Sequence, residues 1–249
     1  MTTPTPTTID DLASISLAEL NDLAELLTRT DRKYIVSEEL LGGLLSGCGD
    51  DIVVLEIDGR REFAYESVYF DTADMALHRA AAAGRRYRFK ARTRMYQDSG
   101  VAVLEVKSKD GRGRTVKNRL DYDVADRHRL TEAGRSFVDE LAAAPGIADT
   151  LAPVLTTQYR RSTLVDLRAG TRATIDRGLV CTDPHGGTVT LDRVIIETKS
   201  DRGTSAIDQW LWRHGARPAK MSKYCTALAV LQPDLPANKW RRTLDRYFR

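Results

Sequence analysis

Cysteine is scarce in this 249-residue chain: Cys48, Cys181 and Cys225 are odd in number, widely spaced and without any C-x-x-C partner. That excludes a disulfide framework and a structural zinc site, and suits buried thiols in a reducing cytoplasm. Histidine is equally thin, and His78, His128, His185 and His214 lie far apart with no H-E-x-x-H spacing, so each reads as a surface or core residue. Neither G-x-x-x-x-G-K-[ST] nor a G-x-G-x-x-G after a strand occurs, which excludes phosphate handling by a P-loop or a dinucleotide-binding turn. Long apolar runs are missing too. The late stretch 227–231 is far shorter than the ~20 residues that cross a bilayer. The opening Met1-Thr2-Thr3-Pro4 has neither the basic start nor the apolar stretch of a signal peptide. The expectation is a cytoplasmic chain without a transmembrane segment, with a disordered tail over residues 1–11 and a single domain over 12–249, since no repeat or low-complexity linker interrupts it.

What the chain does have is charge, unevenly placed. The formal charge is only +3, yet between Arg85 and Arg119 there are 12 basic residues against 3 acidic ones, a local +9. A protein that binds nucleic acid over a general surface tends to be basic throughout, whereas charge focused on one segment points to a compact anion, so no nucleic acid is expected.

Spacing inside that segment is informative. Arg88, Lys90, Arg92 and Arg94 recur at every second position, interleaved with Phe89, Ala91, Thr93 and Met95, which is the period of a strand with one cationic and one mostly apolar face. The run 101–109 puts Glu105, Lys107 and Lys109 opposite Leu104 and Val106, Asp110-Gly111 reads as a turn, and in 115–122 Lys117, Arg119 and Asp121 alternate with Val116, Leu120 and Tyr122. The pattern returns in Arg29, Asp31 and Lys33, in Tyr159 and Arg161, in Arg172, Thr174 and Asp176, and in Glu197 and Lys199. For one strand a solvated polar face explains it. Over the whole set, like charges on neighbouring strands repel, and a bound anion or interleaved carboxylates must offset that. The fold class expected is α+β, mainly antiparallel β: an eight-strand closed tunnel, or barrel, with a charged lumen just wide enough for one small ligand and helices packed outside.

Helices to cover it are signalled by their caps. Ser16 to Glu19 is a capping box opening a helix through Leu20, Leu23, Leu26 and Leu27, and Ser37 opens a short helix ended by Gly47. Further helices are expected over 131–143, 205–213, 222–231 and 239–248, with Trp210 and Trp212 in the core.

Taken in order, Arg29-Thr-Asp-Arg-Lys33-Tyr34, Ser67-Val-Tyr69-Phe70-Asp71-Thr72, the R-x-K-x-R-x-R-x-Y run from Arg88 to Tyr96, Leu104-Glu105-Val-Lys107-Ser-Lys109, Lys117-Asn-Arg119, Tyr159-Arg-Arg161, Arg172-Ala-Thr-Ile-Asp176, Ile196-Glu197-Thr-Lys199 and Ser222-Lys223-Tyr224-Cys225 resemble the VTC domain. That is the polyphosphate polymerase domain of the CYTH, or triphosphate tunnel metalloenzyme, superfamily. The resemblance runs from Arg29 to about Leu231.

It implies a tunnel that binds ATP or triphosphate with Mn²⁺ or Mg²⁺ and transfers the terminal phosphoryl group of ATP to a growing polyphosphate chain. Carried over, the catalytic set is Lys33, Arg88, Lys90, Arg161, Arg172 and Glu197. Arg29, Arg92, Arg94, Lys107, Lys109, Lys117, Arg119, Lys199, Ser222 and Lys223 would bind phosphate, and Glu197, with Glu105 or Asp31, would hold the metal. Ser222 also reads as a plain helix cap. Where hydrolytic relatives resemble E-x-E-x-K, this chain has Arg29-x-Asp31-x-Lys33, which favours transfer because a polyphosphate end is already an ionised nucleophile. A tunnel triphosphatase and a non-catalytic polyphosphate-binding module remain as alternatives. A membrane-protein partner for the polymer stays open.

Overall fold

The computed structural model describes residues 8–23, 30–109, 115–200 and 203–248. The expectations placed on Leu26, Leu27, Arg29 and the Asp110-Gly111 turn lie outside the described residues. The strands are β1 (Ser14–Ile15), β2 (Thr30–Val36), β3 (Ile52–Leu55), β4 (Phe63–Asp71), β5 (Arg88–Tyr96), β6 (Val101–Lys109), β7 (Thr115–Tyr122), β8 (Ala152–Asp166), β9 (Thr171–Thr182), β10 (Thr188–Leu191) and β11 (Val194–Ser200). The helices are α1 (Leu17–Leu23), α2 (Glu38–Ser46), α3 (Ala76–Ala82), α4 (Glu132–Ala142), α5 (Ala206–Arg213), α6 (Lys223–Leu231) and α7 (Arg241–Tyr247). None of these helices is long and apolar enough to cross a membrane. The chain divides into two compact units, one of Met1–Phe63, Arg160–Gly178 and Leu191–Lys220, the other of Ala64–Tyr159, Leu179–Thr190 and Met221–Arg249.

In the first unit the strand order is β2-β11-β9-β8, with β3 antiparallel to β8 and β1 parallel to β3. Alternation along each strand sends Tyr34, Val36, Leu164, Ile175 and Ile196 to one face, where Leu41, Leu44 and Leu45 of α2 and Ile207 and Leu211 of α5 cover them. The Ser37 hydroxyl accepts the Leu40 N–H to start α2, and Gly47 ends it at a place where an added Cβ would come within 2.5 Å of the Trp210 ring. A capping box of Ser205 and Asp208 starts α5. The buried Asp208 carboxylate also accepts from the Tyr34 and Thr198 hydroxyls at 2.7 and 2.6 Å, which ties α5 to β2 and β11.

In the second unit the order is β8-β4-β5-β6-β7, and β10 adds to β9. The period-2 expectation holds here. Phe89 and Ala91 of β5, Leu104 and Val106 of β6 and Val68 and Phe70 of β4 pack with Leu77 of α3 and Val138 of α4, leaving Arg88, Lys90, Arg92 and Arg94 on the other face. Thr131 and Ser222 cap α4 and α6 as expected. The C-terminal helix is shorter than the span 239–248, because Asn238–Trp240 is a 3₁₀ turn. The class is thus mainly antiparallel β with helices, α+β. The ladder path does not close on itself through hydrogen bonds among the described residues, so the expected closed barrel is not established by strand pairing.

Candidate functional site

The cationic face of the second unit follows from strand register. Arg88 lies opposite Lys109, Lys90 opposite Lys107 and Lys107 opposite Lys117, so like charges meet directly across three strands. Such pairs cost stability unless something offsets them. One row away, Arg92 lies opposite Glu105 and Glu105 opposite Arg119. Glu105 has 2% of its surface exposed. Its Oε2 accepts from Arg92 Nε and Nη2 at 2.8 and 2.6 Å, and its Oε1 from Arg119 Nε at 2.9 Å. Lys117 Nζ is 3.7 Å and Arg94 Nη1 4.0 Å away. Four cations therefore converge on one carboxylate. Burial alone would raise the Glu105 carboxyl, but the charges of Arg92, Arg94 and Lys117 outweigh it and hold the group far below the ordinary carboxylate range. Burial pulls the Lys117 ammonium down to about 8, helped by Arg119, Arg94 and Arg92 and opposed by Glu105.

Around this centre Arg92, Arg94 and Lys90 also have neutral partners. Arg92 Nη1 donates to the Tyr69 hydroxyl at 2.7 Å, and Arg94 donates to the Tyr159 and Ser67 hydroxyls at 3.1 and 3.3 Å. Lys90 Nζ donates to Ser222 Oγ at 2.8 Å, while that same oxygen accepts the Cys225 N–H as the cap of α6. Lys223 follows in the first turn of α6. The second unit so gathers Arg88, Lys90, Arg92, Arg94, Lys107, Lys109, Lys117, Arg119, Ser222 and Lys223 from the sequence-derived set. Sequence reading missed Tyr69, Tyr159 and Tyr224 as site residues, although Tyr69 and Tyr159 share the alternation of the charged positions.

In the first unit acids and bases face one another between β2 and β11. Lys33 faces Glu197 and Glu197 faces Thr174, and in the next row Asp31 faces Lys199 and Lys199 faces Arg172. Lys33 Nζ is 3.2 Å from Glu197 Oε2. Arg161 grips the buried Asp176 with two parallel bonds, Nε to Oδ1 at 2.6 Å and Nη2 to Oδ2 at 2.8 Å. Arg29 lies outside the described residues.

The three carboxylates named for a metal do not form a cage: among the described residues no group of three or more His, Cys, Asp or Glu side chains could hold an ion. Glu105 does not fit that role, since guanidinium N–H groups occupy both its oxygens and further cations crowd it. Glu197 fits better. It lies directly across from Thr174, whose buried hydroxyl finds no hydrogen-bond partner among the described residues, and Mg²⁺ or Mn²⁺ needs only one or two protein carboxylates when substrate phosphates and waters complete its shell.

The family model described as VTC domain matches residues 28–232. No curated protein matches the sequence. Among solved structures, a putative adenylyl cyclase, HpAC1 from Hippeastrum, described as revealing a dominant triphosphatase activity, is 16% identical with a TM-score of 0.48, over 82% of this chain and 95% of that one. The PH1819 protein from Pyrococcus horikoshii OT3 is 12% identical with a TM-score of 0.44, over 78% and 91%. A conserved hypothetical protein from Pyrococcus furiosus is 11% identical with a TM-score of 0.40, over 75% and 88%.

Proposed function

The chain belongs to the VTC domain family, and from that premise we propose that it is an ATP-dependent polyphosphate polymerase. The observation that carries this reading is the convergence of Arg92, Arg94, Lys117 and Arg119 on the single carboxylate of Glu105, which leaves a local excess of positive charge fixed on a strand face. A phosphate chain is the compact polyanion that such a face suits, with guanidinium forks for bidentate contacts and lysines as movable point charges. In the transfer, a terminal oxygen of the polyphosphate attacks the γ-phosphorus of ATP. A new P–O bond forms as the bond to the β-bridging oxygen breaks, and the electron pair leaves with ADP. Little covalent help is needed; cations set in place before reaction stabilise charge on the phosphoryl oxygens. In this reading Arg88, Lys90, Lys107, Lys109, Ser222 and Lys223 extend the phosphate path of the second unit. Lys33, Arg161, Arg172 and Lys199 serve phosphate within the first unit. Glu197 would hold Mn²⁺ or Mg²⁺, which when bound neutralises triphosphate charge. The eight-strand closed tunnel and a cytoplasmic location, where ATP is supplied, belong to the same proposal.

A tunnel triphosphatase is the second reading. Hydrolysis needs a base to orient and deprotonate water. Glu105, held ionised by its guanidinium partners, is a poor proton acceptor, and Arg29 replaces an acid in the first-strand motif; both support transfer. The test is incubation of the purified protein with ATP and Mn²⁺, with polymer followed on gels, phosphate release assayed, and Lys33→Ala and Glu197→Gln run in parallel. Long anionic polymer with ADP, lost in both variants, is expected. Free phosphate without polymer would replace the polymerase with a triphosphatase. Tight polyphosphate binding without turnover would make the chain a binding module.

A further inference from the structure

Four cations on the charged face of the second unit rest on tyrosine rings. Lys90 Nζ lies 5.4 Å from the centre of the Tyr224 ring, the Arg92 guanidinium 5.5 Å from Tyr69, the Arg94 guanidinium 5.4 Å from Tyr65, and Lys223 Nζ 4.4 Å from Tyr159. The rings are themselves paired. Tyr69 and Tyr224 stack with centres 4.9 Å apart and planes at 14°, and Tyr65 and Tyr159 with centres 5.4 Å apart and planes at 8°. The first stack is pinned from below: the Tyr224 hydroxyl donates to the buried carboxylate of Asp71, which also accepts the Leu77 and His78 N–H groups.

A ring face attracts a cation through its quadrupole and carries no formal charge. A carboxylate in the same place would hold the cation equally well but cancel it, as Glu105 does for its neighbours. A surface that receives a polyanion has two requirements in conflict: its long side chains must give up rotamer freedom beforehand, and their charge must stay available. Tyrosine beneath a cation meets both.

We propose that the Tyr69–Tyr224 and Tyr65–Tyr159 stacks are positioning devices, holding Lys90, Arg92, Arg94 and Lys223 in place for a phosphate chain while adding no negative charge to that of Glu105, which already pairs with Arg92 and Arg94. This rests on the phosphate-binding reading above and names the residues that prepare it. It differs from a role in the fold alone, because replacing the ring by an aliphatic side chain of similar size should loosen the cation even where the protein stays folded.

The test uses the full chain with Tyr69→Leu, Tyr69→Phe and Tyr65→Leu, the last at a less buried position and therefore the milder change. Two quantities are read: tripolyphosphate affinity by calorimetry, and the order of the Arg92 and Arg94 side-chain N–H groups by NMR relaxation without ligand. Tyr69→Leu should weaken tripolyphosphate about tenfold and loosen Arg92, and Tyr65→Leu should loosen Arg94, whereas Tyr69→Phe, which keeps the ring, should bind within about threefold of the parent. Folded leucine variants with unchanged guanidinium order, or a phenylalanine variant as weak as leucine, would overturn the proposal. If the parent chain does not bind tripolyphosphate, the polymerase reading fails by itself, and the order of Arg92 and Arg94 alone then decides whether the rings position them.

Discussion

Glu105 is the residue on which the charged face depends, because it is the buried acid among cations that would otherwise repel one another. Removing one partner of a buried ion pair leaves the other uncompensated, at a cost of about 3–5 kcal/mol. Glu105→Gln keeps the shape and removes the charge, so the unliganded protein should melt several degrees lower, and tripolyphosphate should raise its melting point by more than it raises the parent's, since ligand charge replaces the lost carboxylate. Equal ligand shifts in both proteins would sink this account. Lys117 gives the matching pH effect. Its ammonium titrates at about 8 instead of the usual 10.5, so it is charged at pH 7 and largely neutral at pH 9, and tripolyphosphate affinity should fall as pH rises through that interval. The ligand itself gains charge over the same range and would strengthen binding, so the sign of the change identifies the protein group. Calorimetry from pH 7 to 9 should show the decline in the parent and its loss in Lys117→Arg, whose guanidinium stays charged. Positions such as Arg92 and Lys117 were legible in the sequence because period 2 is a local property of a strand. That Glu105 meets Arg92 and Arg119 was not, since cross-strand partners depend on register, and the same carboxylate read equally well as a metal ligand.

At the scale of elements, legibility followed the caps. Ser37, Thr131, Ser205 and Ser222 each accept an N–H three residues on, and each opens a helix that the sequence announces. The helix α3 carries no such signal. Its N-cap position is Met75, in the left-handed region with φ 60° and no side-chain cap bond. Its first turn is satisfied from further back: the Thr72 hydroxyl accepts the Ala76 N–H, and Asp71 at the end of β4 accepts the N–H groups of Thr72, Leu77 and His78 and the Tyr224 hydroxyl. A strand residue doing the work of a helix cap is invisible to a search for Ser, Thr, Asp or Asn beside the helix. Because one fully buried carboxylate joins β4, α3 and α6, Asp71→Ala should cost at least about 3 kcal/mol, more than an ordinary cap at ~1 kcal/mol. Denaturant unfolding measures it, and a loss no larger than that of Thr131→Ala would mean that Asp71 does not bind the three elements together.

For the whole molecule the decisive quantity is where the charge lies, because a formal total of +3 describes neither part of the sequence well. The 35 residues from Arg85 to Arg119 carry +9, so the remainder is net negative at −6. Duplex DNA presents one charge per about 1.7 Å over a length far greater than one strand face, and binds through the summed field of a broadly basic surface. Here the remainder of the chain adds net negative charge to that field. A phosphate chain places comparable charge density within the reach of β5, β6 and β7, so the protein should discriminate between the two polyanions by charge placement, without reading any base. Both interactions weaken with salt, so the comparison belongs at one physiological ionic strength. Labelled polyphosphate bound to the full chain should resist displacement by a tenfold phosphate excess of duplex DNA and yield to the same excess of unlabelled polyphosphate. Displacement by DNA at that excess would mean that the net-negative remainder does not shield the cationic strands, and that their charge acts as a general nucleic-acid surface.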